Sequence, residues 1–275
     1  MKIRSFFALS AIAIAAASCG KNNDDIYTPP AATVVKEWSI ALSTKNENPA
    51  PAARNETGTA TLQLFSDNSL KYTINVIGLA SGDALSAAHI HTGNVVVNGP
   101  VVLGLSPTFS GSTATGTIAN LRTTFVDSLK SDVNELYFNV HSTQVASGLL
   151  RGQLNTKLEM VADVALNGAN EVPAVATAAT GIALLRLTSS KQLFIRVSVA
   201  GLEANDALTA SHIHRGATGA NGGILLGLYS NAADFGTVKV FPVDDAQIAT
   251  LKNDALYVNV HSTSRPSGVV RGQIR

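Results

Sequence analysis

The chain is written twice. "SIALSTKNENPAP" at 39–51 aligns with "DVALNGANEVPAV" at 163–175, an offset of 124 that sets Glu47 on Glu171 and Pro49 on Pro173. At an offset of 123, "TGTATLQL" then falls on "TGIALLRL", "INVIGL" on "VSVAGL" and "GDALSAAHIHTG" on "NDALTASHIHRG". "LYFNVHSTQVASGLLRGQL" and "LYVNVHSTSRPSGVVRGQI" align at an offset of 120. A solenoid repeats every ~20–50 residues. A period this much longer implies two self-contained domains, at 36–156 and 157–275.

Each copy reads as β structure. "ATLQL", "KYTINVIGL", "LFIRVSVAGL" and "LYVNVHS" alternate apolar and polar residues, are rich in β-branched and aromatic side chains, and are separated by Gly, Asn, Asp or Pro. Short strands punctuated in this way suit an antiparallel sandwich or barrel. The main helical segment is "VDDAQIATLKND", with Asp244 or Asp245 placed as N-cap and Ile248 and Leu251 three apart. The expectation is an all-β chain of two tandem antiparallel β-sandwich or barrel domains, each with one short helix.

The first residues read as an address. Lys2 and Arg4 precede an apolar run from Phe6 to Ala17, too short for a bilayer span of about 20 residues, and the only cysteine of the chain follows. "AAS" before Cys19 resembles a bacterial lipoprotein processing site, with Ala16 where leucine is more usual. The resemblance implies a signal peptide at 1–18, lipid on the sulfur of Cys19 and an outer-membrane location, on the periplasmic or the cell-surface side. Residues 19–35 are a polar tether, and Asp24 and Asp25 are similar to signals that carry some lipoproteins outward.

Beyond the signal, Lys+Arg falls from 20 to 18 against 19 Asp+Glu. That near-neutral balance lacks the strong basic excess that nucleic-acid binding calls for, and no nucleic-acid partner is expected. It also leaves a chain without disulfides, stabilised by its cores. The expected partners are the membrane, through the lipid, and an extracellular or periplasmic protein or glycan.

All six histidines fall at repeated positions. In a strand, residues two apart point to one face, so His89 and His91 share a face and Ile90 takes the other. Tyr137, Asn139 and His141 likewise share a face opposite Leu136, Phe138 and Val140. The second copy repeats this with His212, His214 and His261, and with Tyr257 and Asn259. Arg151 and Gln153 alternate with Leu150 and Leu154, as Arg271 and Gln273 do with Val270 and Ile274.

Read together, "AHIHTG" and "SHIHRG", each followed some fifty residues on by "YFNVHS…GLLRGQ" or "YVNVHS…GVVRGQ", resemble the CHRD domain, a module first described in chordin and recurrent in secreted bacterial proteins. "LNGANEVPAV" fits as well. The resemblance covers nearly all of 36–275 and implies an immunoglobulin-like β-barrel and extracellular placement. In chordin the module stands beside growth-factor-binding domains, and the family implies no established enzyme activity. The chain departs from the family pattern at Asn48, where valine is usual, and at Leu149 and Val269, where glutamate is frequent.

Three readings of each histidine group stay open. His89, His91 and His141, and His212, His214 and His261, can form a three-imidazole site for Zn or Cu with one position left for water or a ligand. Alternatively His, Tyr, Asn, Arg and Gln form a structural hydrogen-bond network. The third reading is a metal-dependent periplasmic enzyme acting on a small substrate or an oxygen species, although most requirements of a catalytic site are unmet. A copper and zinc superoxide dismutase also carries His-x-His on a β-sandwich, but with more histidines than three per domain. Arg151 and Arg271 are expected to hold turn carbonyls. Glu47 and Glu171 are expected as turn or edge residues without a visible partner, and Trp38 as a packing residue.

Overall fold

The computed structural model describes residues 30–275. The signal peptide expected at 1–18, Cys19 and residues 19–29 of the expected tether lie outside the described residues. The first domain runs β1 (Val34–Ser43), β2 (Thr57–Phe65), β3 (Leu70–Ile77), β4 (Leu85–Thr92), β5 (Val101–Gly104), β6 (Thr113–Ile118), α1 (Thr123–Lys130), β7 (Leu136–Ser142) and β8 (Leu150–Gln153). The second repeats that order as β9 (Leu158–Asn167), β10 (Thr180–Thr188), β11 (Gln192–Ala200), β12 (Leu208–Arg215), β13 (Ile224–Tyr229), β14 (Lys239–Pro242), α2 (Asp245–Asn253), β15 (Leu256–Ser262) and β16 (Val270–Gln273). Among the described residues two short α-helices interrupt otherwise all-β structure.

Each domain is one antiparallel eight-stranded sheet, ordered β5-β4-β7-β8-β1-β2-β3-β6 and β13-β12-β15-β16-β9-β10-β11-β14. The joint between its halves is thin, since β8 meets β1 only at Ser43 and Arg151. The halves can therefore fold over one another and close a core between them, in the manner of a sandwich. Alternation supplies that core. Ile40, Leu62, Ile74, Ile90, Phe138 and Val140 point into it in the first domain, and Val164, Leu185, Ile195, Ile213, Val258 and Val260 in the second.

The predicted helix is α2. Asp244 accepts from the Gln247 backbone N–H and Gln247 reaches back to the Asp244 backbone, a reciprocal cap that satisfies two orphan donors. Its partner α1 starts without a side-chain cap and is held by packing of Phe125, Val126 and Leu129. Trp38 packs in the core as expected and donates its indole N–H to Asn155.

Residues 32–275 form one compact unit, and the two domains meet through a contact the repeat does not announce. Val95 and Val96 of the first domain are buried against Leu184 of the second, with Ile182 and Phe194 beside them. Within that contact Arg186 is fully buried. Its guanidinium binds Asp163 at 2.6 Å, the Glu47 carbonyl at 2.9 Å and the Asn48 side-chain oxygen at 2.9 Å. Asp163 also accepts from the Ala50 backbone N–H. Leu184, Arg186 and Phe194 stand where the first domain has Thr61, Gln63 and Lys71. The outer face of β10–β11 is apolar because it is covered, and its counterpart on β2–β3 is polar because it is not.

Candidate metal centre

Strand pairing decides where the histidines go. β4 runs antiparallel to β7 with His89 opposite Asn139, His91 opposite Tyr137 and Ala87 opposite His141. His141 is thus the diagonal neighbour of His89, within side-chain reach on the same face. In the second domain His212 lies opposite Asn259 and His214 opposite Tyr257, and His261 takes the same diagonal place.

The rings converge. One nitrogen of each of His89, His91 and His141 lies within 4.8 Å of the others, and the same holds for His212, His214 and His261. The closest pair in each domain is Nδ1 of the first histidine and Nε2 of the third, 3.0 Å apart in both. A tetrahedral ion with bonds of roughly 2.0–2.1 Å sets its ligands about 3.4 Å apart. The separations in each group, from 3.0 Å up to at most 4.8 Å, span that value.

The second nitrogens fix the tautomers. His91 Nδ1 lies 3.0 Å from the Gly99 carbonyl and His141 Nδ1 3.0 Å from that of Ala146. A carbonyl only accepts, so both Nδ1 atoms carry the proton and both Nε2 lone pairs face the cluster. His214 and His261 repeat this with Gly222 and Pro266, at 2.9 Å each. Histidines that ligate metals are held in this way by their second nitrogen. Nε2 of His91 and of His214 is buried and has no hydrogen-bond partner among the described residues, an unusual condition for a polar atom in a folded protein.

Burial pushes the pKa of His89 down, with His141 and His91 adding repulsion. It also holds His91, His141, His212 and His261 below the ordinary imidazole value. Neutral rings are the form in which a metal is bound.

Behind the histidines stands a layer of stacked planar groups. Tyr137 stacks on His91 with ring centroids 4.8 Å apart and an 11° tilt, and the Arg151 guanidinium carbon lies 3.5 Å from the centroid of the Tyr137 ring. Arg151 donates to the carbonyls of Asn94 and Val97 and to the Asn98 side chain, so it holds the loop that ends at Gly99. Gln153 holds the Gly93 carbonyl. Arg271 does the same with Ala217, Ala220 and Asn221, and Gln273 with Gly216. The arginines of the "RGQ" motifs therefore bind turn carbonyls, as expected.

The expectation that Glu47 and Glu171 lack a partner is wrong. Each does cap a short 3-10 turn, but it is buried and accepts a hydrogen bond from the asparagine between Tyr and His, Asn139 at 2.6 Å and Asn259 at 2.7 Å. The partners lie 92 and 88 residues apart, beyond any local pattern, although both copies hold the pair at matching positions. Burial pushes both carboxyls up to about 7, against the opposing pull of Arg151 or Arg271 and of the asparagine.

Among the described residues two cavities adjoin the domains. One of about 850 Å³ runs between β1 and β9 beside the interdomain segment, and one of about 190 Å³ opens among Glu171, Thr218 and Arg271. No histidine lines either.

The family model of the CHRD domain matches the chain twice, at residues 38–154 and 162–274. No curated protein and no solved structure matches it.

Proposed function

The chain belongs to the CHRD domain family in two tandem copies, and from that premise we propose that each copy is a binding module that holds one transition-metal ion through its three histidines. The observation that carries this reading is the buried, unpartnered Nε2 of His91 and of His214 at the centre of a three-imidazole group. A structural network would have paired those atoms, because leaving a buried polar group unsatisfied costs on the order of 1–3 kcal/mol. The donor set is all imidazole, which suits Zn or Cu and leaves a fourth position for water or a ligand. Small-substrate chemistry usually calls for an enclosing pocket. No histidine lines either cavity, which favours ion binding over turnover.

The module rides on the cell envelope. A short apolar leader, the lone Cys19 and the polar tether to residue 35 support a lipid anchor in the outer membrane, with the two domains facing the periplasm or the medium. An envelope protein or glycan is the partner class that suits such a placement.

Elemental analysis of the mature protein, purified without a His-tag and dialysed against trace Zn or Cu, tests the metal. Two ions per chain are expected, and none after His89, His91, His212 and His214 are changed to Ala. A metal-free wild type whose thermal stability drops in that variant would make the histidines structural and overturn the reading.

A further inference from the structure

We propose that the two metal sites are unequal, and that the second domain positions the site of the first from outside: Arg186 and the face around it clamp the loop that orients His91, whereas the loop that orients His214 has no clamp. This rests on the metal-binding reading above and adds a regulation of that site.

The two loops are the same length and receive the same internal support. Each ends on the carbonyl that takes the histidine Nδ1–H, that of Gly99 or Gly222, and each is held from within by Arg151 or Arg271. They differ on the outside. Asn98 donates to the Asn48 carbonyl, and Asn48 donates at 3.1 Å to the Val95 carbonyl. The Asn48 side-chain oxygen in turn accepts from Arg186, and Val95 and Val96 are buried on Leu184.

In the second domain only the first of these links remains, from Asn221 to the Val172 carbonyl. Val172 replaces Asn48 and offers no side-chain amide. Thr218 and Gly219 replace Val95 and Val96, and every residue from 217 to 223 is exposed. The departure from the family pattern at Asn48 thus falls on a residue that bonds both to the loop and to Arg186 at the domain interface.

The physical consequence lies in the hydrogen bond to the second nitrogen. That partner fixes the ring orientation, and its loss typically weakens a metal site on the order of 10- to 100-fold. A carbonyl on a loop pinned at Val95 and Val96 against the other domain stays in place, whereas one on a loop exposed throughout samples other positions. The ion in the first domain therefore leaves slowly and the ion in the second exchanges readily. Arg186 and Asn48 touch no metal ligand and act as positioning residues.

The test uses full-length mature protein with one site removed at a time. His212→Ala with His214→Ala leaves the first site, and His89→Ala with His91→Ala leaves the second. Each is loaded with zinc, and release into a chromophoric chelator is followed by stopped flow. Release from the first site is expected to be slower by about tenfold or more. Placing the second domain's residues in the first loop, as Asn48→Val, Val95→Thr and Val96→Gly, is expected to raise release from the first site to within about threefold of the second.

Arg186→Gln is expected to act in the same direction, with partial recovery in Arg186→Lys, and neither change moves release from the second site. Equal release rates in the parent pair, or no response to the loop exchange, would overturn the proposal. If the wild type binds no zinc, the metal reading fails by itself and amide hydrogen exchange decides the clamp. The Gly99 and Gly222 amides both donate to a tyrosine hydroxyl. Much slower exchange at Gly99 supports the clamp, and equal exchange removes it.

Discussion

Asn139 donates to the buried carboxylate of Glu47 at 2.6 Å, and Asn259 repeats the bond with Glu171 at 2.7 Å. Both carboxyls are pushed up by burial to about 7 from an ordinary value of 4.5. Between those values the folded chain holds protons that the unfolded chain has released, so this pair makes stability fall as pH rises through the window. Glu47→Gln with Glu171→Gln removes that slope. Chemical unfolding of variant and wild type at pH 5 and pH 7.5 is expected to show the variant gaining relative to wild type at the higher pH. His89, His91, His141, His212 and His261, held below their ordinary value, contribute an opposite slope, but they are common to both proteins and cancel in the difference. A pH-independent difference would mean that the carboxyls titrate normally.

Gly148 and Gly268 sit against these same pairs with φ of +136° and +142°, a region that L residues rarely adopt. A Cβ on Gly148 would lie 2.9 Å from Glu47 Oε1, and one on Gly268 would lie 2.6 Å from both Glu171 Oε1 and Asn259 Nδ2. Alanine at either site is expected to cost about 2 kcal/mol or more. The larger loss is expected at Gly268, where the contacts are closer. Denaturant midpoints measure it, and a loss below about 0.5 kcal/mol at Gly268 would contradict the geometry.

The second domain has a core of its own, so residues 158–275 alone are expected to unfold cooperatively as β structure. Separation uncovers Ile182, Leu184 and Phe194, which the first domain otherwise covers or adjoins. The isolated domain is therefore expected to self-associate. Leu184→Thr with Phe194→Lys, the residues that the first domain carries at those places, is expected to keep it monomeric in sedimentation velocity. A monomeric parent fragment would show that this face is not sticky.

Cys19→Ser tests the anchor. If the sulfur carries lipid, the variant is expected to move from membrane to soluble fractions, because the tether contains no other membrane-binding element. Unchanged fractionation would remove the lipoprotein assignment.

Much of this architecture follows from short-range rules. Alternation places His89 and His91 on one face and Ile90 in the core, and it separates Tyr137, Asn139 and His141 from Leu136, Phe138 and Val140 whatever the rest of the chain does. The cap of α2 is legible for the same reason, since Asp244 and Gln247 are three residues apart. The two copies differ in one further way that alternation alone does not interpret. In "TGTATLQL" only Ala60, Leu62 and Leu64 form an apolar row, whereas in "TGIALLRL" Ile182 and Leu184 make the second face apolar as well. A strand apolar on both faces is covered on both, but nothing local says by what.

The sequence alone therefore determined the repeat, the β class and the sharing of a face by each pair of histidines, because these depend on neighbours within a few residues. Tertiary structure decided which strand lies beside β4, and with it that His141 joins His89 across 52 residues. It decided that Glu47 finds Asn139 across 92, and that Arg186 reaches Asn48 across 138. Register and docking are set by the packing of whole apolar faces, an energy summed over dozens of side chains. No single pair of polar residues carries that sum in its own spacing.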